Sequence, residues 1–211
     1  MRGFLTVDIL ESDAEIVKRI TKDIVTQIND YFQKSVPQIR EITSKLLQEY
    51  IYKQPEYRAI VGQSSPLRYE LGLITPTARL LKIINTLTRN ISVELVPVTV
   101  VNNQFVGGIE IRGVISDYSD IINMSEAILV TERRDSLPWL EWMLLSGGNI
   151  VIGNYHVEFG NWGRTGGAIM VRGGSWGVPK QYAGTAQNNF ITNAIAQMEP
   201  TLKREIINVL Q

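Results

Sequence analysis

The sequence predicts an α+β fold in which a small antiparallel sheet is flanked by N-terminal amphipathic helices and a C-terminal helix. Three observations carry this expectation. Apolar residues recur at helical spacing through the first 89 residues, alternate between Ile91 and Val114, and return to helical spacing after Ala186. No Ser/Gly/Pro-rich linker divides the chain, so residues 1–211 are expected to form a single domain. Within it, residues 1–89 are helical, and residues 90–211 hold the sheet, Trp-rich loops and the C-terminal helix.

Each element has its own signal. Ser12 and Glu15 have capping-box spacing, and Ile16, Ile20, Ile24, Ile28 and Phe32 then recur every fourth residue, which predicts a helix with one buried stripe. Ser35 before Pro37, with Gln38 at the box position, predicts the start of a second helix whose Ile39, Ile42, Leu46 and Tyr50 share one side. Gln54 to Pro66 mixes turn residues with few apolar ones. Thr75 and Pro76 then signal a helix over Thr77 to Thr88, with Leu80, Leu81 and Ile84 inward. Val93, Leu95, Val98 and Val100 precede the polar Asn102-Asn103-Gln104 turn, and Val106, Ile109, Ile111 and Val114 follow it, the pattern of an antiparallel hairpin. Ser136 and Pro138 open a compact helix through Leu145, stopped by Gly147 and Gly148. Ile150 to Phe159 and Ala168 to Arg172 supply two more strands. The final helix spans Ala186 to Leu210, with Phe190, Ala194, Ile195, Met198, Leu202, Ile206 and Leu210 inward and Pro200 as the place for a bend.

Composition excludes several kinds of protein. A chain of 211 residues that is 44% hydrophobic can bury a core without disulfides or metals. It has no cysteine, which removes thiolate catalysis, iron-sulfur clusters and thiolate zinc sites. Lysine plus arginine equals aspartate plus glutamate at 21 each, so no bulk attraction to nucleic acid or anionic membrane is expected. Met1 to Leu10 carries Arg2 and Asp8 in a short mixed run, without the pattern of a signal peptide. Apolar runs such as Ile91 to Val101 are broken by Ser92, Glu94, Pro97 and Thr99, short of the ~20 residues that a membrane helix needs.

No constellation of catalytic residues stands out. His156 is the only histidine and lies in an alternating strand pattern, where a structural or surface role outweighs catalysis; no Gly-x-Ser-x-Gly elbow accompanies it. Asp117, Asp120 and Glu126 lack the spacing of a calcium loop and read as turn caps or solvated surface. Gly160, Gly163 and Gly166 precede a strand instead of the helix that a phosphate cradle requires, and Gly173 to Lys180 lacks the P-loop's paired Gly-Lys. Glu141 and Glu158 have no spacing that places them across one cleft for acid–base work on a sugar. Arg112, Arg133, Arg134, Arg164 and Arg172 are expected to be scattered, since a stacking groove beside Trp162 and Trp176 calls for excess positive charge.

All four tryptophans fall between positions 139 and 176, in a glycine-dense region. Trp139 and Trp142 share one side of the short helix, where they anchor it to the sheet or to a neighbouring subunit. Trp162 and Trp176 lie in glycine-flanked loops, a setting that suits interface anchors. From Ile109 onward the chain resembles phage neck or tail-completion proteins. The resemblance is carried by Leu137-Pro138-Trp139-Leu140-Glu141-Trp142, then Gly163-Arg164-Thr165-Gly166 with Ala168 to Val171, then Ser175-Trp176-Gly177-Val178-Pro179, Tyr182-Ala183-Gly184-Thr185 and Asn188 to Thr192.

That resemblance implies a cofactor-free virion protein, assembled in the host cytoplasm, that acts as one copy in a homo-oligomeric ring joining the tail to the capsid vertex. Other neck, portal or tail proteins are then its partners, and neutral charge suits passive contact with DNA sliding through the channel. Ring contacts are heterologous, joining two different faces of each subunit. The candidate interface residues are Trp139, Trp142, Trp162, Arg164, Trp176, Pro179 and Tyr182, and the hairpin from Val93 to Val114 offers strand edges to a neighbour. On these grounds the functional surface is expected over Trp139 to Thr185 and not on the N-terminal helices. Two alternatives belong to other classes: a phage-encoded hydrolase using His156 with a carboxylate, and a nucleic-acid-binding packaging accessory using the arginines.

Overall fold

A computed structural model describes residues 11–113, 118–131 and 134–211. The first helix, α1, is Asp13–Lys53, and it opens as expected on Ser12, whose hydroxyl and backbone amide form a reciprocal capping box with Glu15. It does not stop at Pro37. Two helices were expected where there is one of 41 residues with Pro37 inside it. Proline removes the amide that the Gln33 carbonyl would accept from, but Gln33 and Pro37 are both exposed, a setting in which a free carbonyl can be hydrated. Ser35, expected as a cap, instead donates its hydroxyl to the Tyr31 carbonyl at 3.0 Å. Burial of Ile39, Thr43, Leu47 and Ile51 along one side then offsets the remaining cost, about 3 kcal/mol for an interior proline.

Two short helices follow: α2 (Pro55–Val61) lies within the Gln54 to Pro66 stretch of turn residues, and α3 (Pro66–Glu70) starts at its end; each begins on a proline at its first turn. Helix α4 (Pro76–Arg89) starts where Thr75-Pro76 indicated, although Thr75 makes no side-chain cap. Its inward residues are Leu80, Ile83, Ile84 and Leu87; Leu81, expected inside, is 48% exposed. Strands β1 (Ser92–Val101) and β2 (Gln104–Arg112) form the expected antiparallel hairpin. Asn102 and Asn103 both adopt positive φ at its two-residue turn, the twist that such hairpins need. Val114, Ile115, Ser116 and Asp117 lie outside the described residues.

Helix α5 (Ser119–Ile122), a 3-10 turn (Ser125–Ala127) and the paired strands β3 (Leu129–Val130) and β4 (Ser136–Leu137) lead into α6 (Trp139–Leu145). Strands β5 (Ile152–Phe159) and β6 (Ala168–Trp176) pair antiparallel, and α7 (Phe190–Val209) closes the chain with Pro200 inside it. The class is α+β, with one change: the strands make three separate two-stranded ribbons instead of one small sheet. Two of the three ribbons also carry irregularities: the register shifts between Val96 and Thr99, where Pro97 cannot donate to the ladder, and between Gly153 and Tyr155.

Helices α1 and α7 lie antiparallel, tied by Tyr50 to Thr201 at 2.9 Å, Gln54 to Gln197 at 3.0 Å and Tyr31 to the Val209 carbonyl at 3.0 Å. Between them, α4 and α6, runs one continuous apolar core from Ile39 and Leu47 through Ile84, Trp139 and Met143 to Phe190 and Met198. Among the described residues no helix is long and apolar enough to cross a membrane.

Candidate functional site

The tryptophan block is mostly core. Trp139 is fully buried, and its indole N–H donates to the Glu126 carbonyl at 2.9 Å, which satisfies the ring's one polar atom. Trp176 is 7% exposed and donates to Glu70 Oε2 at 3.0 Å. Trp142, half-buried, meets Trp176 edge to face with centroids 5.8 Å apart. The expectation that Trp139 and Trp176 offer themselves to a neighbouring subunit is therefore corrected: one chain already covers both rings. Trp176 ends a strand instead of sitting in a loop, and its pairing with Ile152 turns it inward.

The glycine-rich motif has an equally internal purpose. Arg164 is exposed, yet its guanidinium donates to the Gly72 carbonyl at 3.0 Å and reaches the Val130 carbonyl at 3.5 Å, pinning the 160–167 loop to the α3–α4 connection. Gly163 has φ +75°, and a Cβ there would stand 2.3 Å from the Ala168 carbonyl oxygen. Gly167 lies against the Tyr69 ring, where a Cβ would come within 2.4 Å. Trp162 alone among the tryptophans is open, 51% exposed, with its ring laid over Gly160. Pro179 and Tyr182 are half-buried; the Pro179 carbonyl accepts the Tyr182 amide at 2.8 Å, and Tyr182 packs against the core.

The last stretch of the motif organises the start of α7. Asn189 is 2% exposed and caps the helix: its Oδ1 accepts from the amides of Ile191 and Thr192, while its Nδ2 donates to the Tyr118 hydroxyl and the Thr185 carbonyl, both at 2.8 Å. Thr192 returns the bond to the Asn189 amide at 2.9 Å. Gly184 joins this corner to α6, donating to the Met143 carbonyl at 3.0 Å and accepting from the Gly147 amide at 2.8 Å.

The residues weighed for chemistry do not converge. His156 faces two acceptors, the Gly173 carbonyl at 2.8 Å from Nδ1 and Glu158 Oε1 at 3.2 Å from Nε2. A neutral imidazole has one N–H and serves only one of them, so the Gly173 carbonyl first and Glu158 second hold its pKa above the usual histidine value. Asp120 takes a hydrogen bond from Asn90 and Glu126 an ion pair from Lys82 at 2.8 Å, with Asp117 outside the described residues. Hydrogen bonds from Lys82 and Ser125 bring the Glu126 carboxyl down to about 2. Among the described residues no group of three or more His, Asp or Glu side chains is placed to hold a metal ion. Arg112 is held by Glu110 at 2.9 Å on the hairpin; Arg164 and Arg172 share a cleft elsewhere, and Arg133 lies outside the described residues.

That cleft, of about 930 Å³, opens between α3, the β3–β4 pair and the β5–β6 ribbon. Its walls are apolar, from Leu71, Leu137, Val157 and Met170, with Arg164, Arg172, Glu70 and Asp135 among its lining residues.

A second feature lies on the stretch of chain from which no function was expected. The stripe predicted to be buried on α1 is not: Ile16, Ile28 and Phe32 are half-buried, while Ile20 is 54% and Ile24 41% exposed, with Val17 beside them at 61%. Helix α7 ends beside Tyr31, and among the described residues the hairpin packs along α1 toward its N-terminus. Asn29 clamps the two together, accepting the Val98 amide at 2.7 Å and donating to the Val98 carbonyl at 3.1 Å, at the bulge where the ladder is interrupted. Beyond this clamp Val100, Val101, Phe105 and Val106 are between 40% and 54% exposed. Together, residues 13–28 and 99–106 form an arm with exposed apolar residues on both of its elements. The every-fourth periodicity announced the stripe, but nothing in the sequence said that the chain leaves it open.

Comparison with protein-family models, with curated proteins and with solved structures returns no match.

Proposed function

We propose that this chain is a non-enzymatic structural subunit of the phage head-to-tail interface, one copy in a homo-oligomeric neck, connector or tail-completion ring that joins the tail to the capsid vertex. The observation that carries the proposal is the surface left uncovered by the single chain. Val17, Ile20 and Ile24 on α1 and Val100, Val101, Phe105 and Val106 on the hairpin are each 40% or more exposed. Much of what is open on the arm is apolar, a state that soluble chains relieve by association. The sequence resemblance to neck proteins supplies the kind of assembly, and neutral net charge suits a channel wall along which DNA must slide.

Two measurements test this together: the mass of the purified protein by light scattering, and its presence in particles, with imaging of those made in its absence. A multimer of fixed mass and the accumulation of unjoined heads and tails are expected. A chain that stays monomeric at all concentrations and is missing from virions overturns the proposal.

A further inference from the structure

Where the arm joins the rest of the chain, three interruptions fall at neighbouring levels. On α1, Pro37 leaves the Gln33 carbonyl without the amide of its helical bond. On the hairpin the register slips between Val96 and Thr99: Pro97 has no amide to donate, and on the facing strand Gly107 and Gly108 stand at φ +131° and +148°, backbone shapes that favour glycine. These two places lie side by side, since Gln33 is one helical turn, roughly 6 Å along the axis, from Asn29, and Asn29 holds Val98 inside the bulge. The third interruption is in the packing. Among the described residues the continuous apolar core takes in Val36 on α1 and Val93, Ile109 and Ile111 on the hairpin, and no side chain of residues 13–35 or 94–108 belongs to it.

We propose that this line is a hinge, about which the arm turns as one body. It is independent of the ring reading above. Hinges are a few residues that absorb a change in φ and ψ while the elements on either side keep their shape. Both connections to the arm have such a place: the Gln33–Pro37 gap on the helix, and Pro97 with Gly107-Gly108 on the ribbon. At Gly108 nothing lies within 4 Å of where a Cβ would stand, so this backbone has room to move, whereas at Gly107 a Cβ would come 2.6 Å from the Pro97 carbonyl oxygen, which reserves the bulge for glycine. On the far side of the line the arm is held together by Asn29, which bonds both the amide and the carbonyl of Val98, and Val98 is itself 4% exposed although it lies outside the core. Across the line reaches the Tyr31 hydroxyl, donating to the Val209 carbonyl at 3.0 Å at the end of α7. Tyr31 is exposed, and a solvent-accessible neutral bond exchanges readily for water, which makes it a latch that can open. Turning the arm carries Val17, Ile20, Ile24 and Phe105 together, so the open apolar residues change direction while the core stays as it is.

The absence of cysteine makes spin labelling clean, because every thiol is then an introduced one. One label pair spans the hinge, Ile20→Cys with Lys203→Cys, and a reference pair lies within the body, Leu81→Cys with Lys203→Cys, all at exposed positions. Labelled protein is diluted with unlabelled protein so that only distances within one chain are read by pulsed electron paramagnetic resonance. The spanning pair is expected to give a distance distribution at least about twice as wide as the reference pair, narrowed by Pro37→Ala, which restores the amide, and widened by Tyr31→Phe, which removes the latch. A spanning distribution as narrow as the reference, in the parent and in Tyr31→Phe alike, overturns the hinge. So does a width that Pro37→Ala leaves unchanged. Fraying of the arm would also widen the distribution, and hydrogen exchange separates the two: a hinge leaves the Val98 amide protected on Asn29 in Tyr31→Phe, and loss of that protection alongside the widening overturns the proposal.

Discussion

Trp139 in the body is completely buried, whereas Ile20 on the arm is 54% exposed, although both sit on the apolar side of an amphipathic helix. The difference lies in what each helix is given to pack on. Short α6 is enclosed by the 3-10 turn, the β5–β6 ribbon and the start of α7, so its apolar side is closed by the same chain. Among the described residues, the first half of α1 lies beside a bent hairpin, joined to it by the Asn29 clamp. Amphipathic pattern thus reports an apolar side, and the tertiary structure decides whether the same chain covers it.

The contrast is most sharply broken at Trp139. Trp139→Ala is expected to destabilise the monomer by roughly 3–5 kcal/mol, because it opens a large cavity and removes one of the two side-chain donors to the Glu126 carbonyl, leaving Arg79. Urea unfolding measures this, and a loss below about 1 kcal/mol would show that the body is not closed around the ring. Asn189→Ala comes next, on the order of 2–3 kcal/mol from the lost cap of α7 and the unpartnered Tyr118 hydroxyl, seen as a lower melting temperature.

On the arm side, Asn29→Ala is expected to cost about 1–2 kcal/mol and to act locally. Faster hydrogen exchange at the Val98 amide, with the body amides unchanged, is the readout; uniform acceleration would mean that arm and body unfold as one.

A smaller effect is expected from acid. Glu126 has its folded pKa depressed to about 2 from an ordinary 4.5, so its contribution is present above about 4.5 and is lost as pH falls toward 2. Melting temperature against pH is therefore expected to fall less steeply over that window in Glu126→Gln than in the parent, with the size kept modest by the exposed Lys82 partner. Smallest of all, Ile20→Ala is expected to change monomer stability by less than about 0.5 kcal/mol while weakening association, and a larger loss of monomer stability would place Ile20 in the core after all.

The sequence by itself determined the α+β class, the Ser12 start of α1, the hairpin on Asn102-Asn103, the compact helix of Trp139 and Trp142, and the C-terminal helix. Each of these follows from chemistry within a few residues: a cap, a turn that needs positive φ, or a period of 3.6 or 2. Tertiary structure alone decided the rest. It carried α1 through Pro37, because distant α7 and α4 bury its far side and so outweigh one missing backbone bond. It split the strands into three ribbons, two of them with a register shift. It also moved the open surface. Trp139, Trp142 and Trp176, which stand out in the sequence, turned out to pack into the body, while the ordinary isoleucines and valines of the arm were left exposed. Burial depends on which partners arrive from elsewhere in the chain, and no local pattern of residues encodes that arrival.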